Sequence, residues 1–178
     1  MSDAPSTNSE HPAPIPLAPG EHPPFEGAYK VAGPVEAGRH HQSTRTKARK
    51  AALDVLFEAD LLGRDPLDLL EELREQTETP PREFTEQIIR GVHQHQPQID
   101  ARISHCVSNE WSLERMPRID RNLARIAIWE MDHTDIVGKV AISEALELAD
   151  QYSTDTSVAF LHGMLSKALD TRSRPNDG

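Results

Sequence analysis

The sequence predicts an all-α protein, a compact bundle of about seven helices behind a disordered N-terminal extension. Three observations predict it. Valine, isoleucine and leucine recur at steps of three and four rather than two, the spacing that gathers them on one face of a helix. Hydrophobic residues make up 37 % of the chain but aromatic ones only 4 %, so the core is to be built from Leu, Ile, Val and Ala. The breaks between periodic stretches are short, which favours antiparallel neighbours. No period of roughly 30 to 45 residues recurs, which argues against a repeat architecture.

Residues 1–43 are rich in Pro, Gly and Ala, with apolar residues thin and aperiodic, as in HPAPIPLAPGEHPPF. Such a segment buries too little surface to offset its ordering entropy and reads as a disordered, solvated tail. The folded region is expected over residues 44–170. Ala48, Ala52, Leu53, Leu56 and Leu61 mark a first helix from Thr44, and Gly63 stops it. Asp65-Pro66 starts a second, an N-cap followed by proline at the first helical position, carrying Leu69, Leu70 and Leu73. TETPP is a loop. Phe84, Ile88, Ile89 and Val92 mark a third helix, and Pro97 opens a fourth with Ile99, Ile103, Cys106 and Val107. Trp111 to Pro117 is a short turn or helical fragment. A fifth helix over 118–132 places Ile119, Leu123, Ile126 and Ala127 on one face. DIVG breaks the chain. Ile142, Ala145, Leu146 and Ala149 mark the sixth helix, and Phe160, Met164, Leu165 and Ala168 the seventh. Residues 171–178 form a flexible tail.

Several function classes fall away at this level. Cys106 is the single cysteine, which rules out an intrachain disulfide or cysteine-based zinc site and suits a reducing cytoplasm. No apolar run approaches the ~18 residues of a membrane span, and no basic-then-apolar leader opens the chain. No phosphate-binding glycine loop is present. His93 and His95 lie two apart, about 200° around a helix, so they face apart and make a poor metal pair. Glu144 and Glu147 read as a solvated face, and Cys106 as a small buried hydrophobe. Neither a cofactor nor a metal site is expected, and the chain is not read as an enzyme.

Charge carries the functional signal. The chain has a net charge of −10, yet residues 39–50, RHHQSTRTKARK, hold five bases and no acid. Residues 51–170 hold 11 bases against 23 acids, so the basic dozen is a local feature. On a helix Arg45 and Arg49 share a face, flanked by Lys47 and Lys50. Cations at a helix N-terminus oppose the macrodipole, which argues for an anionic partner, polyphosphate first. Arginine also stacks on bases and bonds phosphate in a bidentate manner. A merely solubilising charge run is the competing reading. Phe57 and Phe160 suit either a base-stacking platform or the core.

RTKARKAALDVLF, RIDRNLARIAIWEM and KVAISEALELADQYSTDTSVAFLHGMLSKAL, in that order, resemble the transcription antitermination factor NusB family over about residues 44–170. The resemblance implies two packed helical sub-bundles, of the first three and the last four helices. It implies RNA binding, to the boxA element of nascent ribosomal-RNA leader transcripts. The implied partners are a small-subunit ribosomal protein acting as NusE and, with other Nus factors, RNA polymerase, whose premature termination is suppressed. Carried over by position, Arg45, Lys47 and Arg49 contact phosphates, and Lys50 flanks them in the RNA-binding arm. Phe57, Arg125, Thr156 and Phe160 join it, with Phe160 stacking a base, and Asp120 falls on the ribosomal-protein surface. A helical adaptor whose basic arm binds an acidic protein is the alternative. NusB-like domains also occur fused to RNA methyltransferases, but the stretch after residue 170 has no room for a Rossmann-type catalytic domain, and methyl transfer is not expected. A monomer, a homodimer and a heterodimer with the ribosomal protein are all compatible with the sequence.

Overall fold

The structure, a computed structural model, describes residues 42–108 and 112–172, together with two short strands. The strands, β1 (Pro14–Ile15) and β2 (Lys30–Val31), pair antiparallel with Pro14 opposite Val31. Two residues are too few for the alternation that marks a strand, so the pair is invisible in the sequence pattern. The rest of the expected disordered extension, Trp111, and the tail beyond residue 172 lie outside the described residues.

Among the described residues, six α-helices and one 3-10 turn, rather than seven helices, build the body: α1 (Thr44–Leu62), α2 (Pro66–Gln76), α3 (Glu83–Cys106), α4 (Arg118–His133), α5 (Gly138–Tyr152) and α6 (Asp155–Asp170). The 3-10 turn covers Leu113–Arg115. The end signals act as their chemistry demands. The Ser43 hydroxyl accepts the Thr46 N–H at 3.0 Å and starts α1. Gly63, at φ 65°, takes the left-handed conformation that ends it. Asp65 caps α2 through the Leu67 N–H at 2.8 Å, and Thr154 caps α6 through Ser157.

The missing boundary is at Pro97, which sits inside α3 instead of opening a new helix. An interior proline removes one hydrogen bond and costs roughly 3 kcal/mol. The apolar stripe nevertheless continues in phase across it: Ile88, Ile89, Val92, Ile99, Ile103 and Cys106 are all buried on one helix. Burial of the second half offsets the proline, whose own ring faces solvent.

α3 thereby serves both halves of the bundle. Its start packs on α1 and α2, with Thr85 donating to the Ala48 carbonyl at 3.1 Å and Arg74 paired with Glu86. Its end packs on α4 and α6, where Arg102 meets Asp132 at 2.9 Å and the Ala168 carbonyl at 2.9 Å. The expected division into the first three and the last four helices is thus bridged by α3, which packs on α1 and α2 at one end and on α4 and α6 at the other.

α4 lies against α1, α3, α5 and α6. It is buried almost all round, from Asn122 to Met131, rather than along one apolar face. Its Trp129 indole presses on α3 at Gly91, where any Cβ would collide with the ring. The polar residues buried with it are all paired. Among the described residues no buried side-chain nitrogen or oxygen lacks a partner.

Candidate nucleic-acid interface

The basic dozen feeds into the first two turns of α1, and helix geometry splits its cations between two sides. At ~100° per residue, Arg49 falls in line with Ala52, Leu53 and Leu56, which are buried. Lys47 and Lys50 fall on the outer side with Asp54 and Phe57. Arg45 shares the inward side with Arg49, but one turn earlier, where the bundle ends.

Arg49 is 3 % exposed. Its Nε and Nη2 donate to the two carboxylate oxygens of Glu130, each at 2.7 Å, and Nη1 lies 3.2 Å from Glu144. Burial opposes the charged guanidinium, but the hydrogen bond and charge of Glu130, then Glu144, outweigh it, and the pKa is raised. Glu144 also accepts the Thr46 hydroxyl at 2.8 Å. Glu144 was expected on a solvated face; it is instead a tie between α5 and the start of α1. The phosphate contact expected of Arg49 is corrected accordingly: its donors are committed to carboxylates inside the bundle.

Arg125 meets the same correction. It donates to both Asp100 oxygens at 2.8 and 2.9 Å and to Asn122 at 3.3 Å, with Asp60 at 3.8 Å. It is 8 % exposed and ties α4 to α3. Asp120, expected on a protein-binding surface, is 1 % exposed. It accepts the Ser153 hydroxyl at 2.6 Å and so anchors the α5–α6 turn to the first turn of α4, where a carboxylate suits the helix dipole.

The remaining candidates stay at the surface. Arg45 and Lys47 are exposed. The Arg45 guanidinium lies 4.9 Å from the centre of the Phe84 ring, within cation–π range, at the mouth of a groove shared with Gln87, Asp135 and Val140. Lys50 is paired with Asp54 at 2.7 Å, and its ammonium lies 4.7 Å from the centre of the Tyr152 ring. Thr156 is exposed, whereas Phe57 and Phe160 are half-buried, Phe160 packing on the core. The structure therefore brings Lys50 to the α5–α6 junction that carries Thr156 four residues on. It separates that side from Arg45.

The sequence reading missed Glu130, Glu144 and Tyr152. Glu130 had a signal in the aromatic–Glu pair of IWEM, and a buried basic face on α1 requires an acid somewhere opposite it. Tyr152 had none, because only folding brings it to Lys50. Among the described residues no three His, Cys, Asp or Glu side chains converge on one point.

The NusB family model matches residues 46–170. Three transcription antitermination proteins named NusB are similar to the chain. That of Cutibacterium acnes is 47 % identical, over 71 % of this chain and 49 % of its own length. That of a Nocardioides species is 42 % identical, over 75 % and 98 %. That of Salinispora tropica is 46 % identical, over 73 % and 98 %. Among solved structures, T. maritima NusB superposes with a TM-score of 0.65 at 31 % identity, covering 75 % of this chain and 95 % of that one. A complex of antitermination factors NusB and NusE with double-stranded RNA shares the fold, at TM-score 0.63 and 23 % identity, over 71 % of this chain and 96 % of that one. Lys47, Arg49 and Lys50 of α1, the buried helix α4 and the final two helices lie within the matched span, with Arg45 just before it, and the chain belongs to the NusB family.

Proposed function

We propose that this protein is an RNA-binding transcription antitermination factor. It recognises the boxA element of nascent ribosomal-RNA leader transcripts, together with the small-subunit ribosomal protein acting as NusE. In concert with other Nus factors it suppresses premature termination by RNA polymerase. The observation that carries the reading is the trio of surface cations on the first two turns of α1, Arg45 and Lys47 exposed and Lys50 half-buried, in a chain of net charge −10. Placed at the positive end of the helix dipole, these cations gain most from a polyanion. Thr156 adds an exposed hydroxyl four residues beyond Tyr152, and Phe57 and Phe160 each keep part of their rings at the surface. The acidic body limits indiscriminate RNA binding and favours a basic protein partner.

The test is the affinity of the full chain for a short boxA RNA and a scrambled control, with and without the ribosomal protein, across a salt series. BoxA is expected to win, with the partner strengthening it. Log K is expected to fall with log salt at a slope of roughly −2 for three neutralised phosphates. The pair Arg45→Gln with Lys47→Gln should weaken both RNAs and flatten the slope. Equal, weak binding of boxA and scrambled RNA with the partner present would overturn the reading. Loss of a protein partner alone in the double variant would favour an adaptor.

A further inference from the structure

We infer that Lys50, Asp54 and Tyr152 form a subsite for one unpaired nucleotide, in which Tyr152 stacks the base and Lys50, released from Asp54, takes its phosphate. This rests on the RNA-binding reading and names a contact that the sequence did not disclose. Tyr152 is the last residue of α5 and is 41 % exposed, one of few large apolar side chains in the described body so placed. The Lys50 ammonium sits 4.7 Å from its ring centre. An aromatic face with a cation on it is the pairing that sequence-tolerant single-strand binders use, since every base has a π-face and every nucleotide a phosphate.

Asp54 is what makes the arrangement a gated one. Both its carboxylate oxygens accept from Lys50 at 2.7 Å, occupying the place a phosphate would take. The pair is built to open. Asp54 is 61 % exposed, and an exposed ion pair at four-residue spacing is weak. The order, with the base preceding the acid along the helix, is also the less favourable one. The closely spaced phosphates of a nucleic-acid strand, each with one negative charge, together compete well against one solvated carboxylate. Asp54 thus lowers the affinity of the site for stray anions while leaving Lys50 available to a strand whose base also docks on Tyr152.

The experiment uses the full chain and the single-stranded boxA RNA, with 2-aminopurine placed in turn along it. Tyr152→Ala is expected to weaken binding by roughly five- to a hundredfold and to abolish quenching at one position. Tyr152→Phe, which keeps the π-face, restores most of both. Asp54→Asn is expected to tighten binding about twofold or more at low salt. Thermal melts of all three should match the parent, because the side chains changed are at the surface. If Arg45→Gln with Lys47→Gln weakens RNA while Tyr152→Ala binds and quenches as the parent does, the subsite is wrong and the wider reading stands. If neither set alters RNA binding, the RNA reading itself fails. Unchanged affinity in Asp54→Asn would overturn the gate, and loss of a protein partner instead of RNA in Tyr152→Ala would assign this face to protein.

Discussion

Arg49 ends in a cage of carboxylates, 3 % exposed, with Glu130 and Glu144 on its donors. Lys50, the next residue, ends at the surface over the Tyr152 ring, held only by an exposed Asp54. Both belong to one basic dozen, and in sequence nothing but a single step separates them. One step is ~100° of helix, enough to turn a cation from the bundle interior to solvent. The difference teaches that the basic cluster is two devices. One set of charges builds the fold by drawing α4 and α5 onto α1. The other set is left free to meet a ligand.

Breaking the inner device should have the largest effect. Arg49→Ala leaves the Glu130 carboxylate, 1 % exposed, buried without its partner. Removing one member of such a pair costs about 3–5 kcal/mol. Urea unfolding should show a loss of that size, with RNA affinity falling only as the folded fraction falls. Arg49→Met combined with Glu130→Leu should be far milder than Arg49→Ala, because no orphan charge remains. A double variant as unstable as the single one would show that the pair is more than a packed contact.

Asp120 comes second. Its substitution by Ala removes the acceptor of the Ser153 hydroxyl and a favourable charge from the first turn of α4. The expected loss is about 1–3 kcal/mol. A ribosomal-protein surface at this residue predicts the opposite: weaker partner binding with unchanged stability. Measuring both on one variant decides between a joint inside the fold and a contact outside it.

Much of this was legible in the sequence, and the failures have physical causes. Gly63 and Asp65-Pro66 marked helix ends because capping is local chemistry. Pro97 misled because the local rule was outweighed by the buried stripe either side of it. Arg49 was in fact readable as inward: Ala52, Leu53 and Leu56 stand three, four and seven residues on, the positions that share its side of the helix. What could not be read was its partner, since Glu130 lies 81 residues away. Arg125 and Asp100 are likewise joined only by the packing of α3 on α4. Charge counts reveal how many cations a segment holds; the direction each one points needs the phase of the helix, and its partner needs the fold.

The outer device predicts a much smaller number. Lys50→Ala removes an exposed ion pair and a cation–π contact, and should change stability by no more than about 0.5 kcal/mol. The same variant should lower the slope of log K against log salt by roughly 0.7, one phosphate contact on a single strand. A large loss of stability would move Lys50 into the structural class with Arg49. An unchanged salt slope would leave it with no role beyond solubility.

Between these extremes lies a cation that exists only in acid. His133, at the end of α4, stacks on His95 of α3 with ring centres 3.9 Å apart and planes 13° off parallel. Partial burial, then the neighbouring His95, hold its pKa below the usual 6.5, with Asp132 pulling the other way. Asp132 is itself paired with Arg102, which blunts that pull. The folded state therefore prefers the neutral ring. Its contribution is complete above pH 6.5 and is lost as the pH falls through the lowered folded value. His133→Phe keeps a flat ring on His95 but has no proton to gain. Melting temperatures at about pH 7.5 and pH 5.5 should fall less for this variant than for the parent, the gap being small because the ring is exposed. Equal slopes in the two proteins would show that the stack bears no charge penalty.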